Sequence, residues 1–309
     1  MMALLEVKDL KVHFPIKGGI LGRTVGYVKA VDGVSFTINP GETVGLVGES
    51  GSGKSTTGKA ILGLERITGG TIHFDGENIT KYIGKNRSNY RKSVQMIFQD
   101  VNSALNPRKR VYDIIAEPLR NFEKLTRGEE RKRVDELLRI VGMTPEASYK
   151  YSFEFSGGQK QRIGVARAIA LKPKLIVADE PVSALDLSVQ AQVLNYMKDI
   201  QQELKLAYLF VSHDLGVVRH MCETLAIMHN ARFVEYGSRD DIYNDPQHIY
   251  TRRLIAAIPD TDPDLRERNA TNRALLTKEY EQEYTKFYGE GGKVYDLKPY
   301  SDTHYVAMP

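Results

Sequence analysis

The octapeptide Gly48-Glu49-Ser50-Gly51-Ser52-Gly53-Lys54-Ser55 fits a phosphate-binding loop, preceded by the apolar run Thr43 to Val47 and followed by the helix-compatible run Thr56 to Leu64. No other feature constrains the fold as tightly, because the pattern works only where a buried strand turns directly into a helix. Glycines let the backbone curl around a polyphosphate, so that successive amide N–H groups point inward and the following helix presents its positive end to the anion. Lys54 would bridge the β- and γ-phosphates, and the Ser55 hydroxyl would ligate Mg²⁺. The sequence therefore predicts an α/β core that binds a nucleoside triphosphate.

A chain of 309 residues with ordinary hydrophobic content holds one large domain or two modest ones, with ample material for a core. Its net charge of +4 comes from 43 basic and 39 acidic residues spread along the chain, the pattern of a solvated surface and not of a nucleic-acid tract. The single cysteine, Cys222, excludes an internal disulfide framework and a set of thiolates for zinc or iron–sulfur, and fits a reducing cytoplasm. Met1 to Leu10 carries Glu6, Lys8 and Asp9, so it lacks the apolar core of a signal peptide. Runs such as Leu175 to Ala178 and Leu206 to Val211 are strand-length, far short of the roughly 20 residues needed to cross a bilayer. Work at a membrane would require other chains to span it.

Strand signals appear at Leu4 to Val7, Val34 to Ile38, Thr43 to Val47, Thr71 to Phe74, Val94 to Phe98, Leu175 to Val177, Tyr208 to Val211, Leu225 to Met228 and Arg232 to Tyr236. Val134, Leu137, Leu138 and Val141 make one amphipathic helical face, preceded by a capping box at Thr126 and Glu129. Val189, Val193, Tyr196, Ile200 and Leu204 make another. The middle of the long interval between Lys54 and Asp179 has little strand signal and predicts a helical subdomain inserted in the α/β core. Beyond Pro246, the Pro/Asp-rich break Asp260 to Pro263 and a charged, Tyr-rich remainder predict a small extension with a partly ordered tail.

Leu175-Ile176-Val177-Ala178-Asp179-Glu180 is an apolar strand ending in two carboxylates, which a parallel sheet would deliver to the edge where ligands bind. Asp179 would complete the Mg²⁺ shell, and Glu180, one step on, would polarise an attacking water. Phe155-Ser156-Gly157-Gly158-Gln159 precedes the helix formers Gln161 to Ala170, so a small-residue turn again feeds a helix N-terminus. Alone it reads as a plain glycine turn. Beside the phosphate loop it reads as a second anion cradle, serving a nucleotide held by another subunit.

The ordered set resembles the ATP-binding subunit of an ABC transporter over roughly Leu4 to Tyr236. The counterparts are the glutamine loop at Gln99 in Ile97-Phe98-Gln99-Asp100, the signature at Phe155 to Gln159, the D-loop Ser183-Ala184-Leu185-Asp186, and the switch histidine His213 in Val211-Ser212-His213-Asp214. The signature carries Phe155 where leucine is commonest, keeping the apolar character. The resemblance implies an ABC-type P-loop NTPase core, with a RecA-like parallel sheet, an antiparallel β subdomain and an inserted helical subdomain at about 101–165. Residues 1–245 would form the ATP-binding domain and 246–309 a C-terminal extension. It further implies that two such subunits sandwich two ATP molecules. Each ATP would be held by one subunit's loop, Gly48, Glu49, Ser50, Gly51, Ser52, Gly53, Lys54, Ser55 and Thr56. The other subunit would supply Ser156, Gly157, Gly158 and Gln159, with the D-loop Asp186 beside them. Ser55, Gln99 and Asp179 are the implied metal ligands, and Glu180, His213 and Gln99 the implied catalytic set. Phe14 has the family's spacing for the aromatic that stacks on adenine, and Tyr27, after the stretch Gly18 to Gly26, could replace it.

Two further segments resemble the oligopeptide/dipeptide importer branch, which includes nickel importers. One is Gln99-Asp100 followed by Ser103-Ala104-Leu105-Asn106-Pro107-Arg108. The other runs from Asp245-Pro246-Gln247-His248-Ile249-Tyr250-Thr251-Arg252-Arg253-Leu254 to Ile258-Pro259, with Ile249 at the proline of that branch's His-Pro-Tyr-Thr motif. A structural role is the expectation for residues there. Some relatives carry an iron–sulfur cluster in this region, which one cysteine cannot build. The resemblance implies import of oligopeptides, a second and paralogous ATPase subunit, two transmembrane permease subunits and an extracellular or periplasmic peptide-binding protein, with this chain at the cytoplasmic side of the membrane and no nucleic-acid partner. The rivals are an importer of dipeptides, nickel or another solute; a soluble ABC ATPase of ribosome or DNA, disfavoured by the single phosphate loop and the lack of heptads; and a scaffold without turnover, disfavoured by Glu180 and His213.

Overall fold

The structure, a computed structural model, describes residues 2–18, 22–80, 88–258 and 266–309, with the backbone alone for 266–270 and 272. Part of the glycine-rich stretch, Pro259 and the break Asp260 to Pro263 lie outside the described residues. The strands are β1 (Leu5–Gly18), β2 (Arg23–Ile38), β3 (Thr43–Val47), β4 (Gly69–Phe74), β5 (Glu77–Asn78), β6 (Val94–Ile97), β7 (Leu175–Asp179), β8 (Ala207–Ser212), β9 (Thr224–His229), β10 (Arg232–Ser238), β11 (Leu297–Pro299) and β12 (Tyr305–Ala307). The α-helices are α1 (Lys54–Leu62), α2 (Ser88–Ser93), α3 (Val101–Ala104), α4 (Val111–Phe122), α5 (Arg127–Ile140), α6 (Gly157–Ile169), α7 (Leu187–Leu204), α8 (Leu215–Met221), α9 (Arg239–Asn244), α10 (Ile249–Ala256) and α11 (Arg266–Phe287). Among the described residues the chain enters each of two compact units more than once: 38–42 and 88–209 form the first, and 2–18, 22–37, 43–80, 210–258 and 266–309 the second.

In the first unit β6 and β7 run parallel, pairing Val94 with Leu175 and Ile97 with Ala178. Every residue of β7 is buried, as a strand covered on both faces requires. The predicted helical insertion is present as α3 to α6. The capping box of α5 forms as its sequence dictates: the Thr126 hydroxyl accepts the Glu129 N–H and the Glu129 carboxylate accepts the Thr126 N–H. Val134, Leu137, Leu138 and Val141 are buried, each apolar side chain contributing about 1.5–3 kcal/mol. Glu130 joins α4 to α5, accepting from Arg120 Nε at 2.8 Å and the Tyr112 hydroxyl at 2.7 Å. In α7 the fully covered face is Val193, Leu194, Met197, Ile200 and Gln201, rotated from the predicted stripe so that Val189, Tyr196 and Leu204 are only half-buried.

The second unit holds an antiparallel sheet in the order β2-β1-β4-β5 and the series β11-β12-β10-β9-β3. β3 and β9 are parallel, with Leu46 opposite Ala226 and Val47 opposite Ile227. The tail is more ordered than its composition predicts. It forms the long α11 and then β12, which pairs with β10 through Glu235↔Val306 and Tyr236↔Tyr305. His304, Val306 and Ala307 are buried there. One interaction explains the docking: Glu235, fully buried on β10, accepts the N–H groups of Gln247 and His248 and binds His304 Nε2 at 2.7 Å.

Candidate active site

The phosphate loop joins β3 to α1 in the second unit, and its glycines are required sterically. A Cβ on Gly48 would lie 2.1 Å from the Met228 carbonyl oxygen, and one on Gly53 would lie 2.1 Å from that of Ala30. Gly53 is the N-cap of α1 and has φ 109°, a conformation L side chains rarely adopt. Thr57 closes the first turn onto the Gly53 carbonyl, and Ala231 N–H donates to the Ser52 carbonyl at 3.1 Å. Lys54 is buried, and its ammonium donates to the Glu49 carbonyl oxygen at 2.8 Å. The Ser52 hydroxyl is buried without a hydrogen-bond partner. A cradle no Cβ could enter, an interior ammonium and an orphaned hydroxyl are the donor set a polyphosphate would satisfy. Ser50 and Gly51 are exposed, and Ser55 and Thr56 are half-buried on the first turn of α1.

The carboxylate pair lies in the first unit. Asp179 is buried as the last residue of β7, and Glu180 follows at φ 45°. A non-glycine residue in that region costs of order 1–3 kcal/mol and persists only where its surroundings enforce it. Here the Glu180 carbonyl accepts the Ser183 hydroxyl at 3.1 Å, and its carboxylate accepts the Gln99 side-chain amide at 2.8 Å. The turn thus aims the Glu180 side chain at the glutamine that follows β6.

The signature forms the start of α6 in the same unit. Ser156 is the N-cap, and its capping box is reciprocal: Gln159 N–H donates to Ser156 Oγ, and Ser156 N–H donates to Gln159 Oε1 at 3.0 Å. Its glycines abut the D-loop and α7, since a Cβ on Gly157 would meet Leu185 at 3.3 Å and one on Gly158 would meet Val189 at 2.3 Å. Asp186 is the N-cap of α7. Next to it Leu187 is 83% exposed, which is unusual for a leucine in a motif region.

His213 lies in the second unit, exposed at the end of β8. The turn that carries it is braced on both sides: Asp214 N–H donates to Ser212 Oγ at 3.0 Å, and Asp214 Oδ1 caps α8 by accepting Gly216 N–H at 2.7 Å. Phe14 on β1 is 39% exposed and Tyr27 on β2 is 61% exposed, so both have aromatic surface to offer.

Sequence reasoning missed the partners of Glu49. Tyr250 and Arg253 of α10, within the segment expected to be purely structural, both bond to it. The available signal was His248 two residues before Tyr250: its ring accepts the Tyr250 N–H as the N-cap of α10, which fixes where the tyrosine points.

A phosphate loop, a carboxylate-ended strand and a glycine-led helix on these elements define a nucleotide-binding cassette. Residues 31–183 match the family model described as ABC transporter, and residues 234–289 match that described as oligopeptide/dipeptide transporter, C-terminal region. The chain belongs to the ABC transporter family of ATP-binding proteins, in the branch that carries this C-terminal region. It is similar to the oligopeptide transport ATP-binding protein OppF of Lactococcus lactis subsp. lactis, 57% identical over 309 residues, covering 100% of this chain and 97% of the relative. It is also 48% identical to the oligopeptide transport ATP-binding protein AppF of Bacillus subtilis, over 88% of this chain and 82% of that one. Among solved structures, a dimeric ATP-binding cassette in a post-hydrolysis state bound to ADP and Pi superposes with a TM-score of 0.66 at 26% identity, over 76% of this chain and 98% of that one.

Proposed function

We infer that this chain is the ATP-hydrolysing subunit that energises oligopeptide import through a membrane ABC transporter. The observation that carries this reading is the 57% identity along the full chain to an oligopeptide transport ATP-binding protein. The matched C-terminal region supports the same branch. As the ATPase subunit of such a transporter the chain would sit as a peripheral subunit at the cytoplasmic side of the membrane, and no helix among its described residues is long and apolar enough to cross it. Its partners in this reading are two transmembrane permease subunits, an extracellular or periplasmic peptide-binding protein, and a second ATPase that is a paralogue of this chain.

The chain's own residues supply the chemistry. The loop from Gly48 to Thr56 holds the polyphosphate with backbone N–H groups, and Lys54 exchanges the Glu49 carbonyl for phosphate oxygens. Ser55, Asp179 and Gln99 would hold Mg²⁺, which neutralises charge on the phosphates when bound. Glu180 accepts a proton from the attacking water, and His213 holds that water and the γ-phosphate. Ser156 to Gln159 and Asp186 serve the nucleotide bound by the partner ATPase, and Phe14, or Tyr27 in its place, stacks on adenine. Fixed charges and dipoles aimed at developing charge supply most of the acceleration in such sites.

The test is uptake in cells deleted for this chain. Entry of a labelled pentapeptide should cease and return on restoring the gene, while nickel and dipeptide entry stay unchanged. Loss of nickel or dipeptide entry with pentapeptide entry intact would move the assignment to that solute.

A further inference from the structure

The C-terminal region reaches back to the phosphate loop at one residue. Tyr250, fully buried in the first turn of α10, accepts the backbone N–H of Glu49 on its hydroxyl at 3.0 Å. The carbonyl of the same Glu49 accepts Lys54 Nζ at 2.8 Å. One turn further along α10, the Arg253 guanidinium binds the Glu49 carboxylate at 2.8 Å and lies 4.4 Å from the centre of the Tyr280 ring on α11. Both polar groups of the Glu49 backbone and its side chain are therefore held, two of the three by residues of α10.

Tyr250 is itself fixed. Its N–H is taken by His248 Nδ1 at 3.1 Å, and its ring packs on His229 with centroids 4.2 Å apart. His229 follows Met228, whose carbonyl oxygen closes the space over Gly48. A buried tyrosine needs a partner for its hydroxyl, and here that partner is the second residue of the loop.

The orientation of each peptide in a phosphate loop sets where the next N–H points. The peptide before Glu49 is held at the Glu49 N–H by Tyr250 and the peptide after it at the Glu49 carbonyl by Lys54, with Arg253 on the side chain, so neither plane turns without breaking a contact, which pre-organises the loop before nucleotide arrives. We propose that Tyr250 is a positioning residue for nucleotide binding: its hydroxyl, with Arg253 on the side chain, fixes the Glu49 peptide so that the following loop amides face the polyphosphate. The proposal rests on the reading of Gly48 to Thr56 as the phosphate loop.

The experiment measures equilibrium binding of ATP and ADP to the full chain together with urea unfolding, for four variants. Tyr250→Phe keeps the ring and removes the hydroxyl. It should weaken both nucleotides about three- to tenfold, the range expected for one lost hydrogen bond, at a urea midpoint close to wild type. Arg253→Gln should weaken them by a smaller factor and decides the matter if Tyr250→Phe fails to fold. Tyr288→Phe is the control, since its hydroxyl binds His229 Nδ1 at 2.9 Å within the same aromatic cluster but away from the loop; its nucleotide affinity should equal wild type. Lys54→Ala tests the underlying reading. Wild-type affinity in Tyr250→Phe, or in Arg253→Gln where the former does not fold, overturns the proposal if Lys54→Ala has lost binding. Retained binding in Lys54→Ala overturns the phosphate-loop reading and the proposal with it. An equal loss in Tyr288→Phe would also overturn it, by showing that any change in the cluster suffices.

Discussion

Gln99 and Glu180, 81 positions apart, are joined by a 2.8 Å hydrogen bond in which the glutamine amide donates to the carboxylate of a residue at φ 45°. The glutamine thereby orients the carboxylate proposed to accept the proton. An ionised carboxylate is acceptor-only, so the donated amide proton sets its orientation.

Gln99→Ala should therefore lower kcat by about 10- to 100-fold, a fraction of the 10²–10⁴ that a positioned general base supplies, with a smaller loss of Mg²⁺-ATP affinity from the missing metal ligand. The split between KM and kcat checks it. An unchanged kcat would separate this hydrogen bond from the chemistry.

Gly53→Ala should abolish nucleotide binding and lower stability by about 1–3 kcal/mol or more, the cost of overpacking, because the new Cβ would meet the Ala30 carbonyl oxygen at 2.1 Å and the backbone at φ 109° resists a side chain. Urea unfolding with nucleotide titration reads both. Gly51→Ala, with φ 82° but nothing within 4 Å, should be milder.

The phosphate loop was legible because its pattern is local: eight consecutive residues between an apolar run and a helix. Glu180 was legible as a residue and illegible as a conformation, since nothing in Ala178-Asp179-Glu180-Pro181 announces a positive φ held by Ser183 and Gln99. The tail was misread for two physical reasons. α11 is faced by a sparse stripe, Tyr280 and Tyr284, continued by Tyr288 just beyond its end, whose rings pack on one another with the Tyr284–Tyr288 centroids 4.2 Å apart, so aromatic contacts replace the usual aliphatic face. β12 is only three residues, too short to show alternation. Tyr250 and Glu49 are 201 positions apart, and a contact so long-range leaves no trace in either neighbourhood.

The Glu235–His304 pair should hold the C-terminal strand in place. Both side chains are buried and 2.7 Å apart, and removing Glu235 also orphans the Gln247 and His248 N–H groups, each lost partner of a buried polar group costing about 1–3 kcal/mol. Glu235→Ala should lower unfolding free energy by that order and expose residues 297–307 to hydrogen exchange. The bond to Glu235 raises the His304 pKa above its ordinary value. A raised folded pKa means that this stabilisation is complete below the unfolded value of about 6.5 and is lost as pH rises through the folded one. His304→Phe should flatten stability on that alkaline side.

His248 should act in the opposite direction. Burial foremost, aided by nearby His229 and Arg252, lowers its pKa to about 3, so the folded chain keeps this ring neutral. As pH falls below about 6.5 the unfolded state gains a proton that the folded state refuses, and stability drops by up to about 1.4 kcal/mol per pH unit. His229, lowered to about 4 chiefly by burial, adds to the same acid limb. Unfolding free energy of His248→Asn, which keeps an N-cap acceptor, should decline less steeply between pH 6 and pH 4.5 than that of wild type.

The most direct test of the account is a paired measurement on Glu180→Gln as the sole copy in the cell: uptake of a labelled pentapeptide, and ATP binding and hydrolysis by the purified chain. Retained ATP binding, hydrolysis reduced by at least about 100-fold and lost pentapeptide uptake, with unrelated solutes still entering, is the predicted result. Near-normal hydrolysis, or intact pentapeptide uptake, would contradict the assignment of Glu180 as the base that drives peptide import.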